Sequence, residues 1–125
     1  MTGAGPTLHV LIVGRLLDIV DETRSRVQCR DVVLYGATTL DEVRKTLSLK
    51  PIDMMVIGAA IELSERLAMA RAAFEISESI TVHLKDKASG PPGFVPFVER
   101  VIASRQMATQ APERPVSLCP PGQVV

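Results

Sequence analysis

The chain reads as an open α/β fold: a parallel sheet of four strands with helices on both faces. Three observations predict it. Short apolar runs bounded by Gly or Pro alternate four times with amphipathic, helix-period segments. The run after Lys50-Pro51, Met54 to Ile57 closed by Gly58, has no polar position, as a strand buried on both faces requires. The fourth run, Ile80 to Lys85, alternates instead, which fits a sheet edge. With the first and third runs the most uniformly apolar, the expected strand order is 2-1-3-4.

Taken in order, residues 1–7 carry two Gly and one Pro and read as a flexible lead-in. His9 to Val13, ended by Gly14, is the first strand. Leu16, Leu17, Val20, Thr23 and Val27 recur at helical spacing and form the expected buried stripe of the first helix. Asp31 to Tyr35, closed by Gly36, is the second strand. Thr39 with Glu42 three residues on is a capping box, and Leu40, Val43 and Leu47 are the stripe of the second helix. In the third helix Leu63, Leu67, Ala70 and Phe74 step by four, three and four, and its alanines permit close packing on a sheet. On the fourth strand Ile80, Val82 and Leu84 share one face and Thr81, His83 and Lys85 the other. Ser89-Gly-Pro-Pro-Gly93 connects to a last helix, with Pro96 in its first turn and Phe94, Phe97, Val98, Val101 and Ile102 as its inner side. The domain is expected over 8–105. From Gln106 to Val125 periodicity is lost, four of the nine prolines fall there, and the expectation is a disordered tail, with Val116 to Cys119 as a short edge strand the alternative.

Composition limits the function. Lys plus Arg and Asp plus Glu number 14 each, so no net charge draws the chain to nucleic acid or an anionic membrane. No apolar stretch is long enough to span a bilayer and no basic-apolar leader opens the sequence, so the expected compartment is the cytoplasm. The two cysteines, Cys29 and Cys119, form no CxxC pair, and neither His9 nor His83 has a second ligand at metal spacing. Neither a GxSxG elbow nor a GxGxxG or GxxxxGK[ST] loop is present. No cofactor, metal or enzymatic activity is expected.

On His9-Val-Leu-Ile-Val13, Ala37-Thr-Thr-Leu-Asp-Glu-Val43 and Pro51-Ile-Asp53, over residues 8 to 104, the chain resembles a response-regulator receiver domain, the flavodoxin-like module of two-component signalling. The resemblance implies an acidic pair after the first strand, where this chain has Gly14 and Arg15. It implies a phosphoacceptor aspartate where this chain has Gly58, and a Lys-Pro where Lys85 is followed by Asp86. One strand-helix unit is also missing. A hard divalent cation needs oxygen ligands, so the resemblance implies a pseudo-receiver. The expected function is then a non-phosphorylatable protein–protein interaction module of bacterial-type signalling, in which the chain is a candidate homodimer.

Two surfaces are candidates. Gly14, Arg15 and Gly58, with Ser89, Gly90 and Gly93 of the later loop, would line the crevice at the carboxyl end of the sheet and hold a small anionic ligand or nucleotide. The alternative is that these glycines only make turns and that Pro91 and Pro92 strip the loop of donors. The fourth strand, with Thr81, His83 and Lys85, is the candidate interaction edge.

Overall fold

The computed structural model describes residues 7–88 and 90–110. They form β1 (Leu8–Val13), α1 (Leu17–Arg26), β2 (Val32–Ala37), α2 (Leu40–Leu49), β3 (Met54–Ile57), α3 (Leu63–Ile76), β4 (Thr81–Leu84) and, after a 3-10 turn at Pro91–Gly93, α4 (Phe94–Gln110). The sheet is parallel throughout, in the order β2-β1-β3-β4, as the sequence predicts. This is an open, doubly wound α/β architecture of flavodoxin-like type.

The two central strands carry the core. All four residues of β3 and the last four of β1 are buried. Alternate residues therefore feed two separate layers. Leu11, Val13, Met55 and Ile57 face α2 and α3, where Val43, Leu47, Met69, Ala72 and Ala73 close over them. Val10, Ile12, Met54 and Val56 face α1 and α4, where Val20, Phe94, Val98 and Ile102 close over them. The inner stripe of α4 is the one its sequence predicts.

Local chemistry fixes the ends of elements. Thr39 caps α2 by accepting from the Glu42 amide at 3.1 Å. The Glu42 carboxylate reaches back to the Thr38 amide at 2.7 Å, one residue beyond the usual partner in a capping box. At the lower rim the Asp53 carboxylate accepts from the His9 amide at 2.9 Å, and the Asp53 amide donates to the His9 carbonyl at 2.8 Å. His9 also meets the Tyr35 hydroxyl through Nδ1 at 2.9 Å. This histidine braces three strands at the end of the sheet opposite the crevice.

Several expectations are corrected. Asp31 does not open β2: it takes a left-handed φ of 56°, a conformation aspartate tolerates, and the strand begins at Val32. Gly36 does not close β2 but lies inside it. A Cβ there would stand 2.5 Å from Val20 Cγ1, so glycine is what lets α1 seat on the sheet. In α1 only Val20 and Thr23 of the expected stripe are buried, whereas Leu16 and Leu17 are exposed. In α3 the expected stripe is not the buried face. Leu63, Leu67 and Phe74 are 56%, 54% and 51% exposed, and Arg66, Met69, Ala72 and Ala73 face inward. The paired alanines bring the helix axis close to the sheet, and Met69 fills the remaining space. Helix α4 continues through Gln106–Gln110, past the expected boundary at 105, and Gln106 Nε2 donates to the Arg30 carbonyl at 2.7 Å. Residues 1–6 of the lead-in, Ser89, and the tail from 111 to 125 with its Val116 to Cys119 segment lie outside the described residues.

Gly36→Ala is expected to lose about 1–3 kcal/mol of stability in urea titration, the range for overpacking a close contact. Gly58→Ala, whose Cβ would meet nothing nearer than 3.6 Å, is expected to remain within about 0.5 kcal/mol of the parent.

Candidate functional site

Strands β1 and β3 diverge in their onward connections, β1 to α1 on one face and β3 to α3 on the other. In sheets of this kind such a switch point opens a crevice beyond the carboxyl ends of the strands. Here the crevice encloses about 1140 Å³. Its floor is built from the chain just after three strands: Gly14 after β1, Gly58 to Ala60 after β3, and Lys85 after β4. One wall comes from α1 and the residues before it, Arg15, Leu16, Ile19, Glu22 and Arg26. The opposite wall is Phe94, Val95, Pro96 and Glu99 of α4, with Lys87, Gly90 and Pro92 from the connector.

The floor is held by backbone hydrogen bonds that continue the sheet. The Gly14 amide donates to Ala37 at 3.2 Å, the Gly58 amide to Val13 at 2.8 Å and the Lys85 amide to Ile57 at 3.0 Å. Neither Gly14 nor Gly58 has a positive φ, so neither needs glycine for its backbone conformation; Gly90, at 71°, does. Gly14 has a packing reason, since a Cβ there would stand 3.0 Å from Val20 Cγ2. Gly58 has none of this kind. Its missing Cβ would meet only Val13 oxygen at 3.6 Å and the Phe94 ring at 3.7 Å. The absence of a side chain at Gly58 therefore deepens the crevice and is not demanded by packing.

The electrostatics are mixed with a cationic excess. Arg15, Arg26, Lys85 and Lys87 stand against Glu22 and Glu99. Arg26 and Glu22 are already joined at 3.2 Å. Glu99 accepts from the Gln28 amide at 3.0 Å. Lys85 is 3% exposed, and its Nζ donates to the Asp86 carbonyl at 2.9 Å. Arg15 and Lys87 are exposed at the mouth and form no ion pair among the described residues. Exposed Leu16 and Ile19 add an apolar strip to the α1 wall. The arrangement provides two cations at the rim, a third below and an apolar flank. That chemistry suits an anionic group attached to an apolar body.

Gly14, Arg15, Gly58 and Gly90 of the expected crevice residues all line it, joined by Lys85, which the sequence reading places on the β4 edge; Gly93 is not among the lining residues and Ser89 lies outside the described residues. The α1 and α4 walls were missed. Their signal lay in exposed-looking positions, Ile19, Glu22, Val95 and Glu99, that only the topology brings face to face. Arg66 was missed as well. It is a buried arginine on α3 whose Nη1 lies 3.5 Å from the Lys85 carbonyl and whose Nε has no partner among the described residues.

The expected interaction edge is corrected in part. Lys85 is not exposed on β4 but follows it and is buried at the crevice floor. Thr81 and His83 are half-buried, joined by Thr81 Oγ1 and His83 Nε2 at 3.2 Å. Burial, and after it the charge of Arg105 on α4, holds the His83 pKa below its ordinary 6.5. Burial and then the Glu99 carboxylate raise the Cys29 pKa, which disfavours its thiolate form. Among the described residues no three His, Cys, Asp or Glu side chains gather where they would hold a metal ion. No helix among them is long and apolar enough to cross a membrane.

No protein-family model, curated protein sequence or solved structure matches this chain.

A histidine held below its ordinary pKa favours the folded state in its neutral form. Its contribution is therefore complete above the unfolded value of 6.5 and is lost as the pH falls below it. Urea midpoints measured from about pH 7.5 down to about pH 5 should decline, and His83→Gln should decline less over the same interval. Parallel curves for the two proteins would contradict the assignment.

Proposed function

We propose that this chain is a non-enzymatic interaction module of receiver-like fold, working in bacterial-type signal transduction through contact with protein partners. The observation that carries the reading is the chemistry at the carboxyl ends of β1 and β3. A phosphoryl-accepting receiver needs carboxylates there for a divalent cation and for the phosphoryl group. The corresponding positions are Gly14, Arg15 and Gly58, with Lys85 beneath them. The placement of the module in signalling rests on likeness of fold. The fold and its crevice are kept while the groups that would run the switch are gone, which leaves surface contact as the working principle. Incubation with acetyl phosphate and magnesium is expected to leave the intact mass unchanged. A stable gain of one phosphoryl group on the native chain would refute the reading.

A second reading is supported by the crevice itself: a binder of a small anionic ligand or nucleotide. Its volume of about 1140 Å³ is ample for a drug-sized molecule, and Arg15 and Lys87 at its mouth supply the charge. Thermal-shift titration with inorganic phosphate, mononucleotides and small carboxylates tests it. A ligand binding at 100 times below its working concentration stabilises the fold by about 2.7 kcal/mol, which is several degrees in a domain of this size. The shift is expected to shrink in Arg15→Ala and in Lys87→Ala, and to be blocked in Gly58→Leu. A panel that leaves the melting temperature unmoved leaves the first reading alone in the field.

A further inference from the structure

We infer that the chain pairs with a second copy of itself through the outer stripe of α3 and the adjoining edge of β4, about one two-fold axis normal to the sheet. The inference rests on the interaction-module reading and names the partner. Leu63, Leu67 and Phe74 are each about half exposed, and Ala70 lies between them. At 100° per residue the four fall within a narrow arc of the helix. That arc adjoins the side of Arg66, which reaches toward the Lys85 carbonyl just beyond β4. The stripe thus flanks the sheet edge on the side away from α2. Among the described residues β4 has β3 as its one neighbour, and none of its four residues is charged. This edge lacks the lysines that usually discourage pairing.

The spacing is self-complementary. Steps of four, three and four are symmetric about the midpoint between Leu67 and Ala70. An antiparallel mate therefore sets Leu63 against Phe74 and Leu67 against Ala70, each contact made twice, as an isologous interface requires. On the flank, Arg71 comes opposite Ser64 of the second copy, so no like charges meet, and Arg71 and Glu75 hold each other within one chain at 3.5 Å. The same axis serves the strands. Two β4 edges side by side lie about 4.8 Å apart, and a helix seated over the β3–β4 gap lies about 5 Å from the axis. The two α3 helices are then about 10 Å apart, a normal packing distance. Half-exposed side chains of this size leave about 100 Å² each, so with the rim and the strand edge the pair buries on the order of 1,200 Å² in all, the lower end for a specific dimer.

Light scattering of the full chain across a concentration series tests the inference. The mass is expected to rise from near 13.5 kDa toward twice that value. Leu67→Glu and Phe74→Glu should each abolish the rise with an unchanged circular dichroism spectrum. Leu49→Glu, at an exposed leucine on α2, should leave it intact. In a Cys29→Ser, Cys119→Ser background, an equimolar mixture of Leu67→Cys and Ala70→Cys chains should give the mixed disulfide in preference to either symmetric one. A constant monomer mass, or a dimer that survives Leu67→Glu, overturns the inference. A monomer that still takes no phosphoryl group would sink the pairing alone, whereas phosphoryl uptake would sink the underlying reading whatever the mass.

Discussion

A strand with no polar side chain has to be shielded from water on both faces, and most of this molecule follows from that one requirement. Val10 to Val13 and Met54 to Ile57 are fully or almost fully buried. Each strand supplies alternate residues to two layers, so helices are needed above and below. The helices that link the strands, together with the last helix, provide them: α2 and α3 on one side, α1 and α4 on the other. The crevice is a by-product of the same arrangement. Where connections leave for opposite faces, nothing covers the strand ends. At that opening this chain presents glycine and cations.

The central strands, their order, the α2 cap and the inner face of α4 were legible because each rests on a local signal: an unbroken apolar run, a Thr-x-x-Glu spacing, a four-residue step. Helix α3 defeated the same logic for a physical reason. Its leucines and phenylalanine advertise one face, while the buried face holds a single large apolar side chain, Met69, beside Ala72 and Ala73, which add closeness but little hydrophobic weight, and Arg66, which counts as polar. Periodicity records where apolar surface lies, not which apolar surface the sheet will cover. In α1 the same ambiguity put Leu16 and Leu17 in the core, though Leu16 in fact lines the crevice.

For the candidate site, the floor was readable and the walls were not. Strand ends announce themselves by glycine, so Gly14 and Gly58 were found. The walls come from segments about eighty residues apart, α1 near Ile19 and α4 near Val95, and no spacing rule joins them before the topology is known. Alternation along the fourth run, carried one residue past the strand, puts Lys85 on an exposed edge. The strand ends at Leu84, and the lysine turns inward to the Asp86 carbonyl.

The 2.5 Å approach that a Cβ at Gly36 would make to Val20 has a further consequence. Gly36 lies on the outermost strand, away from the crevice, yet the atom it would displace belongs to the helix that carries Leu16, Ile19 and Arg26 along the crevice wall. A bulkier residue at that position levers the wall as well as the core. In a library screened for loss of binding, position 36 would therefore score beside true contact residues. Only a parallel measure of folded protein per cell would tell a shifted wall from a missing contact.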